Sequence, residues 1–249
     1  MRKAVHIFDL HYPYYSRATF DLILRVIKDE KPTEIIFHGD QIDNEAVSHW
    51  LENKPRLLEG KRLKTEYLAF NRQILQPIIN ANPRAKIVWI MGNHEDWTQQ
   101  ELDKNPRFEG LIEIENILQF KDRDIEIIPL NDFYKFGKLN CIHGFYHNQY
   151  HASKTVNAFN SSVIYGHLHT LQVHTKVSEL DNNDFHAAYS MPCACNLKLR
   201  YNKGKPTKWV NGFAITYLKP DGGFNTYPII VCKKSLIWNG KFYQSNLPQ

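Results

Sequence analysis

Five short apolar runs in this chain break off abruptly into polar residues, and no other feature narrows its possible folds so far. Val5–Phe8 runs into Asp9-Leu10-His11, Glu34–Phe37 into His38-Gly39-Asp40, Ile87–Met91 into Gly92-Asn93-His94, Leu139–Ile142 into His143-Gly144, and Val163–Tyr165 into Gly166-His167-Leu168-His169. Runs this short and this rich in Val, Ile and Phe read as buried strands. A strand that only filled a core would end in turn residues. These end in carboxylates, an amide and imidazoles.

Helical patterns lie between the runs. Phe20, Leu24 and Ile27 recur at helical spacing in Arg17–Asp29, and Leu63, Tyr67, Phe70, Ile74 and Ile78 do so in Arg62–Ile79. Thr155–Phe159 reads as a further helix. Beyond Thr170 the pattern changes to alternation. Leu171–Val177, Phe185–Ser190, Gly212–Leu218 and Phe224–Val231 read as strands, and Asn239-Gly240 between Leu236–Trp238 and Phe242-Tyr243 signals a hairpin. Strand–helix alternation followed by hairpins predicts an α/β chain with central mixed sheets and an antiparallel C-terminal meander. We expect one domain over residues 1–249, with a core of 1–170 and a β-rich portion of 171–249.

Other classes recede. No apolar run is long enough to span a bilayer. The start, MRKAVHIFDLHYPYY, is basic and then briefly apolar, but Asp9 and His11 interrupt it. It reads as a first strand rather than a leader, which predicts a cytoplasmic protein. Cys141, Cys193, Cys195 and Cys232 form no C-x-x-C pair. Cys193 and Cys195 share a strand face, but no second pair completes a zinc site, so all four read as reduced structural thiols. The charge is uneven: residues 1–126 hold 18 Lys/Arg and 21 Asp/Glu, whereas residues 127–249 hold 13 and 5. A basic C-terminal end suits an anionic partner or a merely solvated surface.

In an open α/β sheet, residues just past the strand ends gather on one rim. Collected there, Asp9, His11, Asp40, Asp43, Asn93, His94, His143, His167 and His169 are too costly to desolvate unpaired. Hard oxygens mixed with imidazoles suit two transition-metal ions better than one.

The ordered blocks D-x-H (Asp9–His11), G-D-x-x-D (Gly39–Asp43), G-N-H-E (Gly92–Glu95), H-G (His143–Gly144) and G-H-x-H (Gly166–His169) resemble the calcineurin-like metallophosphoesterases. The resemblance implies their α/β/β/α sandwich. It implies that Asp9, His11 and His169 hold one metal, that Asn93, His143 and His167 hold a second, and that Asp40 bridges both. It implies that His94 lies beside the scissile phosphate and that Asp43 orients it. The expected chemistry is hydrolysis by metal-activated hydroxide, with Mn²⁺ the expected ion and Fe, Zn, Ni or Mg as alternatives. Glu95 and Asp96 read as structural, and His6 and His38 as satisfied core residues. His147 stands outside the blocks. His151 and Lys154 follow His143 by about two helical turns, so they are candidates to reach a phosphate.

The substrate is less legible. The protein-phosphatase branch carries an Arg after G-D-x-x-D, whereas here Asn44 and Glu45 follow. G-H-x-H is similar to the phosphodiesterase and nuclease branches, including SbcD-like nucleases and small phage-encoded members. Lys198, Arg200, Lys203, Lys205 and Lys208 lie among Tyr201, Trp209 and Phe213, a mixture that can track a nucleic-acid backbone and stack bases. DNA or RNA is the leading substrate. A phosphomonoester or a cyclic nucleotide is the alternative, and a non-enzymatic binding scaffold is the third reading.

Overall fold

The computed structural model describes residues 1–178, 185–199 and 202–247. Its strands, in chain order, are β1 (Lys3–Ile7), β2 (Glu34–His38), β3 (Lys86–Ile90), β4 (Ile125–Ile128), β5 (Tyr134–Phe136), β6 (Leu139–Cys141), β7 (Val163–Tyr165), β8 (Gln172–Val177), β9 (Phe185–Ser190), β10 (Gly212–Leu218), β11 (Phe224–Ile230), β12 (Ser235–Trp238) and β13 (Lys241–Gln244). Its helices are α1 (Arg17–Glu30), α2 (Pro55–Leu58), α3 (Leu63–Phe70), α4 (Gln76–Ala81), α5 (Asn93–Lys104), α6 (Ile114–Ile117) and α7 (His151–Phe159). A π-helical turn, Asn71–Leu75, joins α3 to α4. Pro77 lacks an N–H and would clash with the carbonyl four residues back, and the wider turn relieves both problems.

Two sheets stack face to face. The first has the order β11-β10-β1-β2-β3-β4 and the second β5-β6-β7-β9-β8. β1 to β4 pair in parallel, whereas β10 joins β1 antiparallel. In the second sheet β6, β7 and β9 are parallel, and β5 and β8 run antiparallel to their neighbours.

Side-chain alternation builds the layers, because successive residues of a strand face opposite ways. Val5, Ile7, Ile35, Phe37, Ile87 and Trp89 pack under α1, α3 and α4, against Ile23, Val26, Tyr67 and Phe70. Their neighbours Ala4, Phe8, Ile36, Val88 and Ile90 face the second sheet and meet Phe136, Leu139, Cys141 and Ile164. The outer face of that sheet carries Ile142, Val163, Tyr165 and Ala188, covered by Ala152 and Val156 of α7. This is the α/β/β/α sandwich expected from the sequence.

The antiparallel C-terminal hairpins are present, and they are shared out. β8 and β9 complete the second sheet, β10 and β11 extend the first, and β12 and β13 form a ribbon of their own. That ribbon is tied to α1: Trp238 donates to Glu30 at 2.8 Å, Tyr243 to Asp29 at 2.7 Å, and Arg25 to the Gln244 carbonyl at 2.6 Å. Among the described residues no helix is long and apolar enough to cross a membrane.

Candidate metal centre

The C-terminal ends of β1, β2, β3, β6 and β7 open on one rim. The chain there takes conformations that strands do not. Asp9, His11, Asp40, His167 and His169 all have positive φ, between 45° and 69°. Left-handed backbone is costly for such residues and clusters where function requires it. Two glycines allow the close approach. A Cβ on Gly92 would collide with Asp40 Oδ1, and one on Gly166 with Asp9 Oδ2.

Hydrogen bonds fix which ring nitrogens face the rim. His11 donates from Nδ1 to Asp43 Oδ1 at 2.9 Å, so Nε2 is the nitrogen turned to the cluster. That nitrogen lies 3.3 Å from His169 Nε2 and 3.9 Å from Asp40 Oδ2. His169 Nε2 is in turn 3.5 Å from Asp9 Oδ1. His143 donates from Nδ1 to the His38 carbonyl at 2.8 Å. Its Nε2 faces Asn93 Oδ1 at 3.0 Å, His167 Nδ1 at 3.0 Å and Asp40 Oδ2 at 3.4 Å.

Potential ligand atoms therefore converge at two adjoining points, with Asp40 Oδ2 common to both. The groups Asp9–His11–His169 and Asp40–His143–His167 each bring their ligand atoms within 4.8 Å of one another. Such clusters repel unless cations fill them, and carboxylate plus imidazole is a donor set for divalent transition ions. The residues thus fit two metals. The electrostatics agree. Burial opposes charge on His143, but Asp40 and Asp9 outweigh it and carry its pKa up to about 10. Burial likewise opposes charge on His11, but Asp43, Asp40 and Asp9 raise its pKa to about 9. The cluster draws in positive charge.

His94 begins α5 beside this centre. It donates from Nδ1 to the Asp43 carbonyl at 2.9 Å, with Asp43 Oδ1 at 3.3 Å. Its Nε2 lies 3.9 Å from Asp40 Oδ2, and the side chain is 15% exposed. Trp97 backs the ring at 4.0 Å between centroids. Burial lowers the His94 pKa and outweighs the pull of Asp40, so the ring is neutral near pH 7. Asp43 thus orients two imidazoles.

Glu95, from the same block, is structural. Its buried carboxylate accepts from the N–H groups of Asp40 at 2.8 Å, Gln41 at 2.7 Å and Gly92 at 2.9 Å. It ties the β2 loop to the start of α5.

The two further candidates have partners of their own. His151 does not reach the cleft. The segment after His143 is a loop, and α7 starts at His151 itself, so helical spacing does not run on from His143. The ring is buried against Tyr165 OH at 2.8 Å and Thr170 Oγ1 at 3.3 Å. Lys154 lies over the Tyr146 ring at 4.4 Å. His38 is a satisfied core residue, donating to the Ile142 carbonyl at 3.0 Å and accepting from His6 Nδ1 at 2.9 Å. His6 is not fully satisfied, because its buried Nε2 has no partner.

One residue outside the sequence blocks joins the site. His147 Nε2 stands 3.1 Å from His167 Nε2, on the far side of that ring from the metal-facing Nδ1. The C-terminal mixture of bases and aromatics divides. Phe213 is fully buried in the core and unable to stack a base. Trp209 packs on His169 with 4.2 Å between centroids. Lys198, Lys203, Lys205 and Lys208 are exposed, and Arg200 and Tyr201 lie outside the described residues.

The sequence pattern of the calcineurin-like phosphoesterases matches residues 2–205. The chain belongs to the calcineurin-like phosphoesterase family. The family depends on a dinuclear metal centre, and the Asp and His groups above are positioned to supply it. Membership supports a phosphoric ester hydrolase. This calcineurin-like phosphoesterase is 26% identical to the gene 54 protein of Mycobacterium phage L5 over 230 residues, covering 86% of this chain and 88% of that protein. It is 24% identical to the gene 54 protein of Mycobacterium phage D29 over 247 residues, covering 88% and 92%. A solved Vps29 variant from Entamoeba histolytica aligns over 97% of both chains with a TM-score of 0.48 and 12% identity.

Proposed function

We propose that the chain, acting as one domain, is a phosphodiesterase that hydrolyses nucleic-acid phosphodiester bonds. One observation carries the reading. The ligand clusters open beside Trp209, which lies on His169, and the segment leading to Trp209 exposes Lys203, Lys205 and Lys208. An aromatic face next to a hydrolytic centre, flanked by cations, suits a base and the phosphates around it.

Asp9, His11 and His169 would hold one ion, Asn93, His143 and His167 the other, and Asp40 both. When bound, two divalent ions supply Lewis acidity and lower the pKa of water to about 7. The chain's own residues do the rest. Asp43 fixes the His94 ring so that Nε2 faces the reacting phosphate; the ring, neutral in the free site, would take up a proton beside that anion, and Nε2–H would then hydrogen-bond an oxygen or pass the proton to the leaving group. Glu95 keeps the β2 loop and the start of α5 in register. Mn²⁺ is the ion we favour. With relatives in two phages, we place the enzyme's action in the host cytoplasm.

The test is a substrate panel on metal-stripped protein reloaded with Mn²⁺. It compares bis-p-nitrophenyl phosphate, p-nitrophenyl phosphate, and single- and double-stranded DNA and RNA. Nucleic-acid and diester turnover that falls steeply with salt supports the proposal, because phosphate contacts release counterions. His94→Ala is expected to lower kcat by about 10²–10⁴. Turnover of the monoester alone, insensitive to salt, would replace the nuclease reading with a phosphatase.

A further inference from the structure

The structure gives Cys193 and Cys195 the third donor that the sequence lacked. Cys195 Sγ lies 3.4 Å from Cys193 Sγ and 3.8 Å from His169 Nδ1. The ligand atoms of the three residues lie within 4.8 Å of one another, and all three side chains are buried. We propose that His169 Nδ1, Cys193 Sγ and Cys195 Sγ form a separate site for one thiophilic divalent cation of the zinc or cadmium class, directly behind the dinuclear centre.

The geometry favours a cation over the two plainer accounts. A disulfide is excluded as the state shown, because its sulfurs would be about 2.05 Å apart, and both cysteines are free. Packed thiols leave His169 poorly served. His11, His94 and His143 each give their Nδ1 proton to an oxygen at 2.8–2.9 Å. His169 Nδ1 has sulfur at 3.8 Å. A tetrahedral zinc with Zn–S near ~2.3 Å and Zn–N near ~2.0 Å would separate two sulfurs by about 3.8 Å and sulfur from nitrogen by about 3.6 Å. The observed 3.4 and 3.8 Å are close to those edges.

The backbone is already set for it. Asn211 Nδ2 donates to the Cys195 carbonyl at 2.7 Å and to the Cys193 carbonyl at 3.3 Å. Ala194 N–H bonds to the Phe8 carbonyl at 2.9 Å and Cys193 N–H to the Val210 carbonyl at 2.9 Å. Leu199, Leu197, Tyr14 and Trp209 jacket the pair in apolar surface. Two thiolates balance one divalent charge, which makes burial affordable there. Softness separates the two centres: thiolates select zinc or cadmium, while the cluster next door, of carboxylate and amide oxygens with imidazoles and no sulfur, accommodates Mn²⁺.

Binding exchanges bonds without redox change. In the metal-stripped protein two S–H bonds break and two metal–sulfur bonds form, while Nδ1 gives its lone pair to the metal and the ring keeps its one proton on Nε2. Two protons pass to the buffer. Where His169 Nε2 also holds an ion of the proposed dinuclear centre, the ring proton leaves as well and the ring joins the two centres.

The experiment titrates reduced, metal-stripped full-length protein with Cd²⁺. It reads the ultraviolet thiolate-to-cadmium charge-transfer band, with Mn²⁺ uptake measured in parallel. We expect a band that saturates at one cadmium per chain, survives in Cys141→Ser and Asp40→Asn, and is lost in Cys193→Ser/Cys195→Ser while Mn²⁺ uptake persists. Cadmium-edge X-ray absorption on the unmutated protein gives the same answer without relying on a variant to fold, with two sulfurs expected in the first shell. No band, a band that survives the double substitution, or fewer than two sulfurs would overturn the proposal. A cadmium band without Mn²⁺ uptake would sink the dinuclear reading and leave this one standing.

Discussion

Asp43 Oδ1 stands 2.9 Å from His11 Nδ1, and this one bond turns the other nitrogen of His11 to the Asp and His cluster. The same aspartate takes the Nδ1 proton of His94 on its backbone carbonyl. A carboxylate behind a ligating imidazole fixes the tautomer and raises the basicity of the ligand. Asp43→Asn keeps the shape and loses the charge. We expect Mn²⁺ affinity to weaken about 10–100-fold, with kcat falling as well. Calorimetric titration beside the diester assay separates the two effects, and unchanged affinity would restrict Asp43 to orienting His94.

His147 is predicted to act through His167. If His167 holds a metal through Nδ1, its proton is on Nε2 and needs an acceptor, and His147 Nε2 is 3.1 Å away. His147→Ala should weaken binding of the second ion by about tenfold or more. His147→Gln offers an amide oxygen and should recover part of the loss. Equal defects in the two variants would show that the ring is needed for something other than accepting that proton.

Glu95 should matter to stability. Glu95→Ala leaves the N–H groups of Asp40, Gln41 and Gly92 without their acceptor, at about 1–3 kcal/mol for each buried group. A loss of about 3 kcal/mol or more is expected in urea unfolding, with a smaller loss for Glu95→Gln. A drop in activity at unchanged stability would instead make Glu95 part of the chemistry.

The β12–β13 ribbon should loosen in acid. Burial raises the Glu30 pKa, but Lys3 at 2.6 Å, Trp238 at 2.8 Å and Tyr217 at 3.0 Å outweigh it and hold the group below its ordinary 4.5. A carboxyl depressed in the folded state contributes its stability in full above the unfolded pKa. That contribution is lost as pH falls through the lowered folded value. Hydrogen-exchange protection over Ser235–Gln244, taken relative to the unfolded chain at the same pH, should fall below about pH 4.5, and Glu30→Gln should be poorly protected at neutral pH too. A ribbon equally protected across that range would show that Glu30 does not anchor it.

Most of the sandwich could be read from the sequence, because its strands are short apolar runs and α1 and the joined α3 and α4 carry a clear apolar stripe. Helix α5 could not. Glu95, Trp97, Thr98 and Leu102 are its buried residues, too few apolar positions to leave a period. The start of α7 was missed for a related reason: His151 is buried but not apolar. Strand patterns say that a segment is extended and do not name its neighbour. Hence the tail's hairpins were visible, but their division among three sheets was not. The site shows the same limit. Residues carried by a block with fixed spacing were found, whereas His147, Cys193 and Cys195 reach the centre through tertiary folding that spacing does not encode.

The central claim is that the rim holds two divalent ions with Asp40 common to both. Metal analysis of stripped protein, dialysed against Mn²⁺ and freed of excess, tests it most directly. Two manganese per chain are expected for the unmodified protein, falling to one or none in Asp40→Ala while the fold persists by circular dichroism. One ion or none in the unmodified protein, or two retained in Asp40→Ala, would contradict the account.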